Sequence, residues 1–299
     1  MITAYINWNV DPEIFNIFGI SLRYYGCLFV GGLVLCGYIL SIVFKKEEIS
    51  QEKLEKLCIY GVLGVFIGAR LGHCLFYDPI YYFNNIAEML LPIAKMSDGS
   101  YKMVGYQGLA SHGGAIGLII AIAIYSRKTN ESVIKTIDMM GLVAPLAGVC
   151  IRLANLMNSE IIGLPTTVPW AFVFERVDNI PRHPAQLYEA LSYLAIFGFM
   201  MLIYKNKWLK LQSGAYFGTA LTLIFSARFF IEFLKEIQED FEESLSLDMG
   251  QILSIPFILA GIFFIVYGIY RDKKGLIIVQ TENKQSRQLR RKNERKNKR

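Results

Sequence analysis

Apolar residues fill this chain in long runs, and Lys, Arg, Asp and Glu gather in the short stretches between them. Seven runs, at about 17–44, 57–77, 104–126, 133–153, 185–204, 212–235 and 250–270, are each long enough to cross a bilayer. A hydrocarbon core of about 30 Å takes about 20 helical residues. Lipid offers no hydrogen bonds, so each segment must satisfy its own backbone, and α-helices are expected. The expected fold is an all-α integral membrane protein with about seven transmembrane helices and an outer-facing loop region. Residues 1–270 form the expected polytopic membrane domain, and 271–299 a basic, disordered tail. No cleavable signal peptide is expected, because the first eighteen residues lack a basic start and a short apolar core.

Composition agrees with a bilayer as solvent. The 299 residues are 54% hydrophobic and 19% charged, too apolar and too unevenly charged for a soluble domain. Lys and Arg also orient the spans. Alternate connections carry Lys45, Lys46, Lys53 and Lys56, then Arg127, Lys128 and Lys135, then Lys205, Lys207 and Lys210, and finally the tail from Arg271. Together these hold 22 basic residues, against 4 (Lys95, Lys102, Arg176 and Arg182) on the opposite side. An outside N-terminus and an inside C-terminus follow. The net charge of +6 is concentrated in Arg287 to Arg299, a solvated tail suited to anionic headgroups rather than a nucleic-acid surface. The five cysteines (Cys27, Cys36, Cys58, Cys74 and Cys150) form no CxxC pair and read as packing residues, with no metal site.

Five basic residues remain, all inside the expected spans: Arg23, Arg70, Arg152, Arg228 and Lys235. An arginine at a helix centre costs about 2.5–3.5 kcal/mol on insertion scales, so such residues face a polar interior. Lys235, near a span end, is expected to snorkel. Arg70, Arg152 and Arg228 fall in the outer halves of three spans, where the available common partner is a lipid phosphate, which arginine grips with two parallel charge-assisted hydrogen bonds. Arg152, Asn155 and Asn158 share one helical face by i, i+3 spacing, ahead of Glu160 and Gly163. Arg228 and Glu232 are spaced for an intrahelical ion pair. His112, beside Gly113 and Gly114, is the candidate general base. His73 lacks such company and reads as structural.

These residues resemble the prolipoprotein diacylglyceryl transferase family. The resemblance rests on Arg23-Tyr-Tyr25-Gly26, Gly68-Ala-Arg70-Leu-Gly72, Ser111-His112-Gly-Gly, the Arg152 to Gly163 segment, Arg182-His-Pro-Ala-Gln-Leu-Tyr-Glu189 and Arg228-Phe-Phe-Ile-Glu232-Phe. It implies transfer of the diacylglyceryl group of phosphatidylglycerol to the lipobox cysteine thiol of a secreted precursor, forming a thioether and releasing glycerol phosphate. It also implies a place in the bacterial cytoplasmic (inner) membrane, with His112, Arg152 and Arg228 catalytic. Arg152, Arg228, Arg70, Asn155, Glu160, Tyr25, Glu189, Glu232 and Gly163 are implied to hold the lipid headgroup. No cofactor or metal is expected: the chain has no Walker loop, HExxH or Mg²⁺-binding Asp cluster, and no nucleic-acid partner is expected. Two positions depart from the family pattern: Ser111 stands where an aromatic residue is common, and Lys235 where arginine is.

Two other readings use the same features. A transporter for an anionic amphiphile would use the arginines as a binding site, but no internal repeat is present. An intramembrane protease would need an Asp pair, a Ser–His pair or a zinc motif, and none is apparent. Charge asymmetry makes the orientation testable. Reporter fusions after Lys210 are expected in the cytoplasm and fusions near Glu242 outside; the reverse pattern would sink the assignment.

Overall fold

The computed structural model describes residues 5–17, 20–91, 93–96, 99–103, 108, 110–237 and 247–275. The basic tail from 276 onward, the stretch 104–107 at the start of the third expected span, and Leu109 lie outside the described residues. The fold is mostly helical. Its elements in order are β1 (Ile6–Trp8), β2 (Glu13–Ile17), β3 (Ile20–Arg23), α1 (Tyr24–Lys46), α2 (Gln51–Phe76), α3 (Pro79–Asn84), α4 (Ile86–Leu90), β4 (Ile93–Lys95), β5 (Tyr101–Met103), α5 (Ser111–Thr129), α6 (Val133–Asn158), β6 (Phe172–Phe174), β7 (Pro181–Arg182), α7 (Ala185–Lys205), α8 (Ala215–Glu232) and α9 (Met249–Lys273). Five of the described helices, α1, α2, α6, α7 and α9, are long and apolar enough to cross a membrane. α5 and α8 are shorter, at 19 and 18 residues, and more polar: α5 opens on Ser111-His112 and closes on Arg127-Lys128, and α8 carries Arg228 and Glu232.

Several expected boundaries move by several residues, and two of the shifts relocate a basic residue. The first apolar run is not helical from residue 17: β2 and β3 form an antiparallel hairpin in which Glu13 faces Arg23, and the helix starts at Tyr24. Arg23 therefore lies outside the helix, and β-branched and aromatic residues around the hairpin turn favour strand. The sixth run ends as a helix at Glu232, so Lys235 follows α8 rather than sitting within it.

The chain separates into two compact units, residues 41–136 and residues 1–40 with 137–299, the division falling within α1 and α6. In the first unit α2 packs along α5 with backbone against backbone. A Cβ placed on Gly113 would come within 2.2 Å of the Gly68 carbonyl oxygen, so only glycine permits the approach. Small residues let membrane helices come this close and gain van der Waals contact where lipid supplies no hydrophobic drive. In the second unit α8 packs along α9, with Phe225 stacked on Phe257 at 4.4 Å.

Two apolar clusters fix the polar part of that unit. Val149 of α6 and Ala190 and Tyr193 of α7 are buried together, with Leu153, Ile196, Ile224 and Ala227 against them, so three helices meet beside Arg152 and Arg228. Above them, Leu156, Ile162, Phe172 and Phe174 are buried, with Trp8 and Leu187 packed on. This second cluster lies under a small sheet of order β1-β6-β7, in which β1 runs parallel to β6 and β6 antiparallel to β7. Single bridges extend the pairing from Arg182 to Pro165, and from Gly163 to Lys235. The end of α6, the start of α7 and the end of α8 are thereby tied to one another.

Candidate active site

The site is built on the last turn of α6. The helix carries Arg152, Asn155 and Asn158 up one side and then reverses. Ser159 and Ile161 adopt left-handed backbone, with φ of 55° and 58°. A β-branched residue in that region is strained, and its surroundings must hold it there. The reversal folds Glu160 back over the helix: its amide donates to the Asn155 carbonyl, and its carboxylate accepts from Asn155 Nδ2 at 2.7 Å and Asn158 Nδ2 at 3.4 Å. Arg152 Nη1 donates to Asn155 Oδ1 at 3.3 Å, and Gln186 Nε2 to the Glu160 carbonyl at 2.6 Å. Tyr25 on α1 lies within electrostatic range of Glu160 and Arg152.

Gly163 is where three chain segments cross. Its amide donates to the His183 carbonyl, and a Cβ there would lie 2.4 Å from that oxygen and 2.7 Å from the Leu234 carbonyl oxygen. Arg182 Nη1 donates to the Gly163 carbonyl at 3.2 Å and lies 3.1 Å from Glu236 Oε1, while Arg182 Nη2 pairs with Asp178 at 2.6 Å. The hydrogen bonds from Arg182 hold the Asp178 carboxyl below its ordinary range. The stabilisation is therefore present above the unfolded carboxylate pKa and is lost as pH falls through the lowered one. Burial pushes His183 below its ordinary value, and its Nδ1 lies 3.1 Å from the Tyr188 hydroxyl, to which Trp170 Nε1 also donates at 2.8 Å.

A chain of buried charges lies next to this junction. Glu189 of α7 is fully buried. Arg152 Nε lies 3.0 Å from its Oε2, close enough to pair as ions though not aligned as a hydrogen bond. Its Oε1 accepts from the Tyr193 hydroxyl at 3.2 Å and lies 3.3 Å from Lys235 Nζ. Lys235 also donates to Glu232 Oε2 at 2.8 Å. Two expectations change here. Lys235 does not snorkel: it is 4% exposed, because two carboxylates receive it. Glu232 pairs with Lys235 rather than Arg228, since the chain turns after α8 and carries the ammonium back over it. The Glu232 carboxylate also lies against Gly250 in the first turn of α9, where free backbone N–H groups favour an anion.

Arg228 differs from its neighbours. It senses Tyr193 electrostatically, makes no ion pair among the described residues, and its Nε–H is buried without a hydrogen-bond partner there. Around Glu160, the buried Asn158 Oδ1, Ser159 Oγ and Gln186 Oε1 also have no hydrogen-bond partner among the described residues. Gln186, Tyr193 and Ser159 carry no charge out of place in the sequence, and charge was the signal that found the arginines.

The other two sequence-derived site residues, Arg70 and His112, belong to the unit 41–136. Arg70 is held by carbonyls, donating to Glu88 at 2.5 Å, Met89 at 3.2 Å and Gly108 at 3.3 Å, and it lies 5.0 Å over the Tyr82 ring. His112 is the second residue of α5 and is exposed. The residue capping that helix, Ala110, donates its amide to the Ala69 carbonyl at 2.9 Å. Arg70 and Ala69 thus hold Gly108 and Ala110, just ahead of His112. His73 stacks on Tyr77 at 5.2 Å, in keeping with a structural role.

Comparison with known proteins finds close relatives over most of the chain. A family model described as prolipoprotein diacylglyceryl transferase matches residues 12–267. Among curated relatives named phosphatidylglycerol–prolipoprotein diacylglyceryl transferase, one from Bacteroides fragilis is 53% identical over 271 residues, covering 91% of this chain and 97% of its own. Those from Chloroherpeton thalassium and Porphyromonas gingivalis are 45% and 42% identical, each covering 88% of this chain and 94% of their own.

The buried pairs make a stability prediction. Lys235→Met leaves Glu232 and Glu189 short of a cation, and breaking a buried pair from one side costs about 3–5 kcal/mol. Thermal unfolding of detergent-solubilised protein is expected to show a marked fall in Tm, with Lys235→Arg close to the parent. A Lys235→Met protein that melts with the parent would show that the pairs contribute little.

Proposed function

The chain belongs to the prolipoprotein diacylglyceryl transferase family, and from that premise we propose how its residues carry the diacylglyceryl group from phosphatidylglycerol to a prolipoprotein. The enzyme is a multi-pass transferase of the bacterial cytoplasmic membrane. It has seven spans, α5 and α8 joining the five longer helices, with the N-terminus outside and the basic tail inside. The observation that carries the assignment is the bare Arg228. Among the described residues every other basic group of the α6–α7–α8 cluster has an acidic partner, whereas Arg228 is half-buried and its buried Nε–H has none. An unpaired donor in such surroundings is costly unless a ligand completes it, and a lipid phosphate does so.

In the reaction, the acceptor cysteine sulfur attacks the glyceryl carbon that bears the phosphate ester. A C–S bond forms, the C–O bond breaks, and glycerol phosphate departs with the bonding pair. The departing phosphate gains negative charge, so guanidinium groups held beside it stabilise the transition state more than the bound lipid. Arg228 takes this role directly, and Arg152, oriented by Glu189 and Asn155, takes it with its remaining N–H groups. Glu160, Asn155 and Tyr25 shape the headgroup side. Glu189 and Glu232 set the charge balance that leaves one guanidinium open. Gly163 lets the three segments meet. A thiol of pKa about 8.5 is mostly protonated at neutral pH and needs an acceptor for its proton. His112, exposed in the first turn of α5 just after the residues held by Arg70 and Ala69, is that acceptor.

Lysine substitutions test the arginines, because they keep charge and lose the fork. Arg152→Lys and Arg228→Lys are expected to lose about 2–4 kcal/mol of transition-state stabilisation while the proteins still insert and fold. Turnover of phosphatidylglycerol with a lipobox peptide, followed by mass spectrometry, reads the loss; near-normal rates in both would make the arginines structural. His112→Gln tests the base. Its residual rate is expected to rise from about pH 6 to 9, as more of the acceptor thiol ionises unaided. A low rate that stays flat over that range would assign His112 to orientation only.

A further inference from the structure

The polar atoms left bare around Glu160 can all accept a hydrogen bond. Around Glu160 each side-chain amide nitrogen has an acceptor: Asn155 Nδ2 and Asn158 Nδ2 donate to its carboxylate, and Gln186 Nε2 to its carbonyl. What remains buried and without a partner among the described residues is Asn158 Oδ1, Gln186 Oε1 and Ser159 Oγ. Two of these are pure acceptors, and the third can accept. Gln186 has 0% exposure, and its amide is held by the 2.6 Å bond to Glu160, so its oxygen cannot turn to water. Buried acceptors are seldom left unmet, and each one unmet costs about 1–3 kcal/mol. In the same compact unit the buried Nε–H of Arg228, beside Tyr193, is a donor also without a partner among the described residues.

A ligand that meets both needs carries an anionic group for the arginines and hydroxyl donors for the amide oxygens. A glycerol phosphate group has both. Resting on the transferase reading, we infer that Asn158 and Gln186 are specificity-determining residues that accept hydrogen bonds from the free hydroxyls of the lipid's glycerol headgroup. A choline headgroup has no N–H or O–H to donate and is not accommodated. A site built to receive a hydroxyl discriminates sharply against an analogue without it, since its own polar atoms are then stranded. The left-handed backbone at Ser159 and Ile161 and the Asn155–Glu160 bond hold Asn158 in place for this role.

The test compares two lipids of equal charge and similar headgroup length: phosphatidylglycerol and phosphatidylpropanol, which lacks the headgroup hydroxyls. With a lipobox peptide as acceptor, the parent enzyme is expected to prefer phosphatidylglycerol in kcat/KM by about 10-fold or more. In Asn158→Leu and Gln186→Met the preference is expected to shrink toward one, because the variants lose rate on phosphatidylglycerol and little on phosphatidylpropanol. A purely structural role would lower both rates together and leave the ratio intact, and that outcome overturns the inference. The parent's own ratio decides the matter even if a variant fails to fold: a ratio near one overturns it. Inhibition by free glycerol phosphate, stronger than by inorganic phosphate but with a lipid ratio near one, would mean a site for the free ester and also overturns it. If neither lipid is consumed, the transferase reading fails first.

Discussion

Neutralising charge without water is the constraint on which the rest of this structure depends. Arg152, Glu189, Lys235 and Glu232 are placed where lipid and packed helices replace solvent, and none of them is stable there alone. Each has at least one partner of opposite sign, and those partners come from α6, α7 and the end of α8. The ion pairs therefore do more than settle their own electrostatics. They specify how three helices must meet, since a shift of any helix strands a charge. The apolar cluster of Val149, Ala190 and Tyr193 supplies packing at the same level, but packing of small and aliphatic groups tolerates sliding that a buried ion pair does not.

The backbone around the charges is shaped to serve them. Left-handed residues at the end of α6 turn Glu160 back onto Asn155, and the crossing at Gly163 brings 181–183 and 234–236 alongside. Strain at Ile161 is sustained because Glu160 is fixed on both sides of its peptide. Lys235 reaches Glu189 and Glu232 because the bridge to Gly163 holds the segment after α8 against the loop after α6. The site is thus a rigid junction in which most polar groups are committed to one another. The uncommitted ones, Arg228 and a few amide and hydroxyl oxygens, stand out against that background.

Much of this was legible in the sequence because lipid makes charge conspicuous. Arginine inside an apolar run cannot be incidental, and the spacing of Arg152, Asn155 and Asn158 placed them on one helix face before any coordinates. Hydropathy located the helices but missed their ends by up to seven residues, as at the start of α1. It misplaced the ends, where the physics changes from burial to capping and pairing. Arg23 and Lys235 were counted as intramembrane, and one proved to pair in a hairpin while the other follows α8. Nor could spacing decide which acid each base takes. Arg228 and Glu232 sit at the right interval on one helix, yet Lys235 takes Glu232 because a turn after the helix lets a flexible side chain fold back, a tertiary fact with no local signal.

Uncharged polar residues were the hardest to read, and the reason bears on how selectivity is built. Gln186 and Ser159 cost little in a sequence profile, and either could be a packing or capping residue. Their meaning comes only from counting bonds: each amide nitrogen around Glu160 has its acceptor, and the acceptors left over indicate what the missing partner must offer. Charge and hydroxyl recognition are separable on this view. Arginines attract any phospholipid phosphate, so in the proposed reaction they would set affinity and stabilise the leaving group without telling one headgroup from another. Discrimination among phosphates has to come from neutral groups that are satisfied by one headgroup and stranded by the rest, because a stranded buried acceptor costs more than a satisfied one contributes.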